Sequence, residues 1–291
     1  MSTVPLNTQA LHDSQFLSRT RDLLSRSIAR LSSGSRAVTA SDDPAGISLS
    51  EKLSAQNLRV NAASNNVQNA VSYVQSVDGF LNGMGDLLGR MSELAILAKD
   101  PMKNAGDIAL YQQEFSQLQT QIRNTIGGDT TDIGGLYNIT KPFGSFNGQV
   151  LFGANPSGKV IATGQAATQR LTIPETNLRD GAMLSIFQQN GAGAFTLSVT
   201  DSTAIATITS ALEEVGDERA TLGAIGSRLN LVADSLTTEG ESLTSTISAI
   251  RDVNVATEST RLAKYNLLNE SSTAMLTQSM KSSQSVLQLL S

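Results

Sequence analysis

Leu53, Val60, Val67, Val74, Leu81, Leu88 and Ala95 fall at strict seven-residue intervals. Gln56, Ala63, Ala70, Val77, Met84, Met91 and Ala98 follow them, each three positions later. A chain with this 3–4 rhythm hides its apolar residues as one long helix packed along another helix. Many of the seam residues are Ala or Val, so the helix axes should approach closely. The pattern stops at Lys99-Asp100-Pro101, where the residue before proline is pushed out of the helical region. Near the other end Leu222, Leu229, Leu236, Leu243 and Ile250 repeat the same interval. Val232 and Val253 hold complementary positions there, while Glu239 and Thr246 are polar exceptions.

The outermost segments carry weaker versions of the pattern. Leu17, Leu24, Ile28 and Leu31 share one register at the start, and Leu262, Tyr265, Leu268, Met275, Leu276, Met280, Leu287 and Leu290 stripe the end. A shorter amphipathic run with Ile108, Tyr111, Phe115, Leu118 and Ile122 dissolves at Gly127-Gly128. Residues 128–204 then turn to Gly-rich text, with short β-type runs at Gln149–Phe152, Arg170–Ile173 and Phe195–Thr200. Asn147-Gly148 is the clearest hairpin turn. The expected architecture is mainly α. The N- and C-terminal halves form a long antiparallel coiled-coil or helical-bundle rod, with a small β-hairpin-rich portion mid-chain.

Residues 31–46 read LSSGSRAVTASDDPAG and contain a break between helices. Gly34 can take the left-handed conformation that ends a helix. Asp42 and Asp43 offer acceptors to orphan amides, and Pro44 suits the first helical position. Capping, rather than a carboxylate site, is the reading for the two aspartates.

Composition removes whole classes of function. Aromatics are 4% of the chain, and it lacks Trp, so its core should consist of narrow aliphatic seams rather than the aromatic-rich interior of a large enzyme. Cysteine is absent, which excludes disulfides, thiolate nucleophiles and Cys-ligated metal. His12 is the only histidine, and no glycine cluster is followed by the Lys-Ser/Thr of a phosphate loop. A net charge of −5 with mixed signs gives no basic stripe for nucleic acid. No charged-then-apolar leader opens the sequence and no run approaches membrane-spanning length, so neither a cleaved signal peptide nor membrane insertion is expected. Neither catalysis nor a cofactor is expected.

Several blocks then resemble one family in the order that family uses them. LSSGSRAVTASDDPAGISLSEKLSAQ (31–56), GRMSELAILA (89–98), SFNGQVLF (145–152), RATLGAIGSRLNLVADSL (219–236) and SAIRDVNVATESTRLAKYNLL (248–268) resemble bacterial flagellins. The resemblance implies a self-assembling subunit of the flagellar filament, extracellular, and exported by the flagellar type III apparatus. It also implies that residues 1–44 and 255–291 form an inner coiled coil. Leu17, Leu24, Ile28, Leu31, Leu262, Leu268, Leu276, Leu287 and Leu290 would mediate self-assembly there. Gly34, Asp42, Asp43 and Pro44 would form a spoke to an outer portion, residues 45–254. Between Phe152 and Ile205 there is room for hairpins but not for a further domain, which makes this a minimal member.

The implied partners are other copies of the chain, a flagellin export chaperone, and the filament cap and hook–filament junction proteins. A Toll-like receptor that senses flagellin would contact Arg90, Leu94 and Glu114. Strongly recognised members have Gln before that Arg and another Arg two residues after it, where this chain has Gly89 and Ser92. Two rival readings are a hook–filament junction protein and a chemoreceptor-type signalling coiled coil. A metallopeptidase-bearing flagellin is excluded by the lack of an HExxH motif.

Overall fold

The structure, a computed structural model, describes residues 8–153, 158–166 and 168–290, without the side chains of 9 and 283–290. The described chain runs through helices α1 (Thr8–Ser33), α2 (Pro44–Leu97), α3 (Ala105–Ile126) and the single turn α4 (Thr130–Ile133). Two hairpins follow, β1 (Ser145–Phe146) with β2 (Gln149–Val150) and β3 (Lys159–Ala162) with β4 (Arg170–Ile173). The chain closes with α5 (Gly181–Phe187), α6 (Ala204–Arg251) and α7 (Val255–Leu290). It divides into two compact units, residues 59–239 and residues up to 58 with 240 onward.

In the unit of residues 59–239 the heptad seam of α2 is the core. Val60, Ala63, Val67, Ala70, Val74, Val77, Leu81, Met84, Leu88, Met91, Ala95 and Ala98 are all buried. Leu222, Leu229 and Leu236 of α6 are buried in the same way. The two helices run antiparallel: Arg219 Nε meets Asp78 at 2.8 Å, and an added Cβ at Gly226 would lie 3.7 Å from Val74. Glu239, the polar exception, is half-buried and accepts a hydrogen bond from Gln165 at 2.7 Å. Proline ends α2 where expected, and α3 opens on a reciprocal Asn104–Asp107 capping box.

The mid-chain portion is less β-rich than the sequence suggests. Arg170–Ile173 is a strand as expected, in register with Lys159–Ala162. Asn147 and Gly148 form the first hairpin's turn with φ of 50° and 75°, the left-handed pair such two-residue turns require. Phe195–Thr200 is a correction: it forms only a single bridge, Phe195 to Gln189. Side chains of α3 take the place of a partner strand. Gln119 Nε2 donates to the carbonyls of Ile186 and Leu197 at 2.7 and 3.0 Å, and Gln112 Oε1 accepts from the Val199 amide at 2.8 Å. Lower on the same helix, buried Arg123 donates to the carbonyls of Ile133 (2.7 Å), Phe187 (3.3 Å) and Gly134 (2.6 Å).

Candidate assembly interface

In the unit of residues up to 58 and from 240 onward, α1 and α7 pair antiparallel. Their seam is far more polar than that of α2. On α1 the positions turned inward are Asp13, Leu17, Thr20, Leu24, Ser27 and Leu31, alternating polar and apolar. On α7 they are Glu258, Leu262, Tyr265, Asn269, Ser272 and Leu276. Ser27 Oγ donates to Glu258 Oε1 at 2.7 Å, and both residues are buried. Arg261 adds a bond to the other carboxylate oxygen at 3.1 Å. Burial pushes the Glu258 carboxyl up, but the bonds from Ser27 and Arg261, with the charges of Arg261 and Arg30, outweigh it and hold its pKa below the ordinary value.

Leu17 is buried, while Leu24, Leu31, Leu262, Leu268 and Leu276 are half-buried. Ile28 differs from the expectation. It is 52% exposed, and Ser27 occupies the seam position instead, because the seam advances by three then four from Leu24 to Ser27 to Leu31. The side chains of Leu287 and Leu290 lie outside the described residues. Apolar side chains flanking the seam stay open to solvent: Phe16, Leu23 and Ile28 on α1, and Met275 and Met280 on α7. Such flanks are unfavourable for a helix hairpin that ends its life in water.

The break between α1 and α2 is built as the capping residues require. Gly34 has φ of 68° directly after α1. Asp43 Oδ1 accepts the Gly46 amide at 2.9 Å, which caps α2 at Pro44, and its Oδ2 meets Arg36 at 3.2 Å. Asp42 Oδ2 instead closes the preceding turn by accepting the amides of Val38 and Thr39, both at 3.2 Å. The Thr39 amide bond is the chief reason the Asp42 carboxyl sits below its ordinary pKa. The break also pairs with the α6–α7 break. Gly34 O accepts from Val253 N (2.9 Å), and Arg36 N donates to Arg251 O (2.7 Å). Sequence periodicity marks no stop at residues 252–254; the clasp to residues 34–36 falls there, and Asn254 Oδ1 caps α7 by accepting the Thr257 amide at 3.1 Å.

On α2, Arg90 is bound twice. Its Nε and Nη2 donate to the two oxygens of Glu114 on α3 at 2.7 and 3.1 Å, and Nη1 donates to Glu93 at 2.7 Å. The Arg90 bond holds the Glu114 carboxyl below the ordinary range. Leu94 corrects an expectation. It is fully buried, one position before the seam residue Ala95 on the side where α3 crosses, and so offers no exposed apolar anchor. Among the described residues no cluster of three His, Cys, Asp or Glu is placed to hold a metal, and no helix is long and apolar enough to cross a membrane.

Paired helices near the chain ends, with a polar seam, uncovered apolar flanks and a backbone clasp between their two breaks, are the features of a structural subunit rather than of a catalytic site. The chain matches the bacterial flagellin N-terminal helical region over residues 4–137 and the C-terminal helical region over residues 205–290. It is 32% identical to the flagellar filament 30.7 kDa core protein of Treponema maltophilum, with 98% of each chain covered. It is equally 32% identical to the flagellin of Bacillus subtilis, again over 98% of each, and 33% identical to that of Halalkalibacterium halodurans over 91% of each. The chain belongs to the bacterial flagellin family. It is a structural subunit that polymerises into the flagellar filament outside the cell, and not an enzyme.

Proposed function

We propose that α1 and α7 carry the polymerisation. Residues 1–44 and 255–291 would form the filament's inner layer, residues 45–254 the layer around it, and the 34–44 segment the spoke between them. The single observation behind this is the set of exposed apolar flanks, Phe16, Leu23, Ile28, Met275 and Met280, on an otherwise polar-seamed hairpin. In a filament those flanks, with Leu287 and Leu290, would be buried against neighbouring copies, at roughly 25 cal/mol per Å² of apolar surface removed from water. Removing residues 262–291 tests the assignment. The truncated chain should stay soluble and helical but form no filaments on seeding, and a truncated chain that polymerises normally would overturn it.

The same flanks suit the other partners the family implies. An export chaperone would cover α7 before secretion through the flagellar type III apparatus. The cap and hook–filament junction proteins would present matching helices at the two filament ends. Recognition by a flagellin-sensing Toll-like receptor would rest on Arg90 and Glu114. Their ion pair sits on the surface, and a receptor acceptor would have to compete with Glu114 for the guanidinium. With Leu94 in the core and Gly89 and Ser92 beside the arginine, the contact should be weak. A reporter assay on dissociated monomers, comparing the parent with Arg90→Ala, decides it: equal signals, or none from the parent, remove the receptor from the list.

A further inference from the structure

The unit of residues 59–239 contains an open cavity of about 420 Å³ that polymerisation through the chain ends does not use. One wall is a face of α2, and the others are the two hairpins. Tyr73 and Phe146 meet edge to face there, with ring centroids 5.9 Å apart, and the buried Ile173 lies at the base. Around the rim stand the amides of Asn66, Asn69 and Gln149, all exposed. Among the described lining residues Lys159 is the one charged group, and no carboxylate joins it.

Lys159 is held unusually for a surface lysine. Its ammonium lies 5.4 Å from the centre of the Tyr73 ring and donates to Gln149 Oε1 at 2.7 Å. Both of these partners are neutral, and they place and orient its positive charge at the mouth of the cavity. Tyr73, Gln149 and Lys159 also border a neighbouring recess that contains Glu175 and Arg179, while neither of those two charged residues lines this cavity.

The geometry points to a binding site for an acidic sugar, a hexuronic acid or the acidic end of a glycan. Each side-chain amide both donates and accepts, which matches adjacent hydroxyls of a pyranose and would be left unsatisfied against a hydrocarbon chain. The aromatic wall suits the apolar C–H face of the ring. The lysine suits its carboxylate, through a charge-assisted bond stronger than the one it makes to Gln149. The volume lies within the range of small-ligand sites.

Saturation-transfer NMR on the full-length chain with sodium glucuronate tests this, with glucose as the neutral probe and inorganic phosphate as the anion without a ring. Ring-proton signals should appear with glucuronate at concentrations of about 1–10 mM and weaken as salt is raised. Lys159→Gln should weaken binding about tenfold or more. Asn69→Ala should weaken it too, and since Ala raises helix propensity this cannot be through loss of α2. Glucose should bind more weakly than glucuronate, and phosphate should not displace it at equal concentration. No glucuronate signal, full displacement by phosphate, or unchanged binding by both variants would overturn the assignment. So would a Val160→Cys variant whose thiol reacts in the monomer and is shielded in filaments while glucuronate fails to bind, because the cavity would then belong to a neighbouring copy.

Discussion

Ser27 and Glu258, 231 residues apart in sequence, share a buried hydrogen bond of 2.7 Å that joins the two ends of the chain. Because the Glu258 pKa is lower in the folded chain than its ordinary value of 4.5, the carboxylate contributes stability that is complete above that value. That contribution is lost as pH falls through the lowered folded value. The groups facing the carboxylate are Ser27 and Arg30 from α1 and Arg261 from α7. The α1–α7 pairing, read by filament melting or by circular dichroism, should therefore weaken below about pH 4.5. Glu258→Gln should flatten part of that acid dependence, and Ser27→Ala should cost about 1–3 kcal/mol at neutral pH by leaving the buried carboxylate one donor short.

Val67 lies fully buried at the centre of the α2 seam. Val67→Asp would place a charge there with no partner, and it should cost about 3 kcal/mol or more. The thermal midpoint of the soluble chain measures it; a shift within a degree or two of the parent would show that the seam is not the core.

Arg123 spans three carbonyls from two segments that lack a partner strand. Arg123→Met keeps the apolar stem and removes the donors, and it should destabilise the chain by about 2–4 kcal/mol. Hydrogen exchange should show the loss concentrated at residues 130–136 and 186–199, while the α2 seam stays protected. Uniform loss along the whole chain would contradict that local role.

Gly34 has open space around a built Cβ, so only its φ of 68° penalises a side chain. Gly34→Val should cost about 1–2 kcal/mol, whereas Gly34→Asn, which tolerates the left-handed region, should cost much less. Filament yield on seeding should follow that order. Equal yields would show that the bend tolerates other backbone conformations.

Local sequence determined the features that repeat within a few residues. The α2 and α6 seams, the Pro101 stop, the Asp43 cap at Pro44, the left-handed Gly34 and the Asn147-Gly148 turn all follow from near-neighbour sterics and from helical periodicity, which act before any tertiary contact forms. The blocks around residues 31–56 and 219–268 carried the family in the same way. Gln112 and Gln119 interrupt the apolar face of α3 and were a readable sign of buried polar contacts, but their partners lie 67 to 87 residues further on. Tertiary structure alone decided those partners. It also decided the loss of the strand at 195–200, the choice of Ser27 over Ile28 in the α1 seam, and the burial of Leu94. Each depends on which surface another segment covers, and a helical stripe states that it must be covered without naming by what.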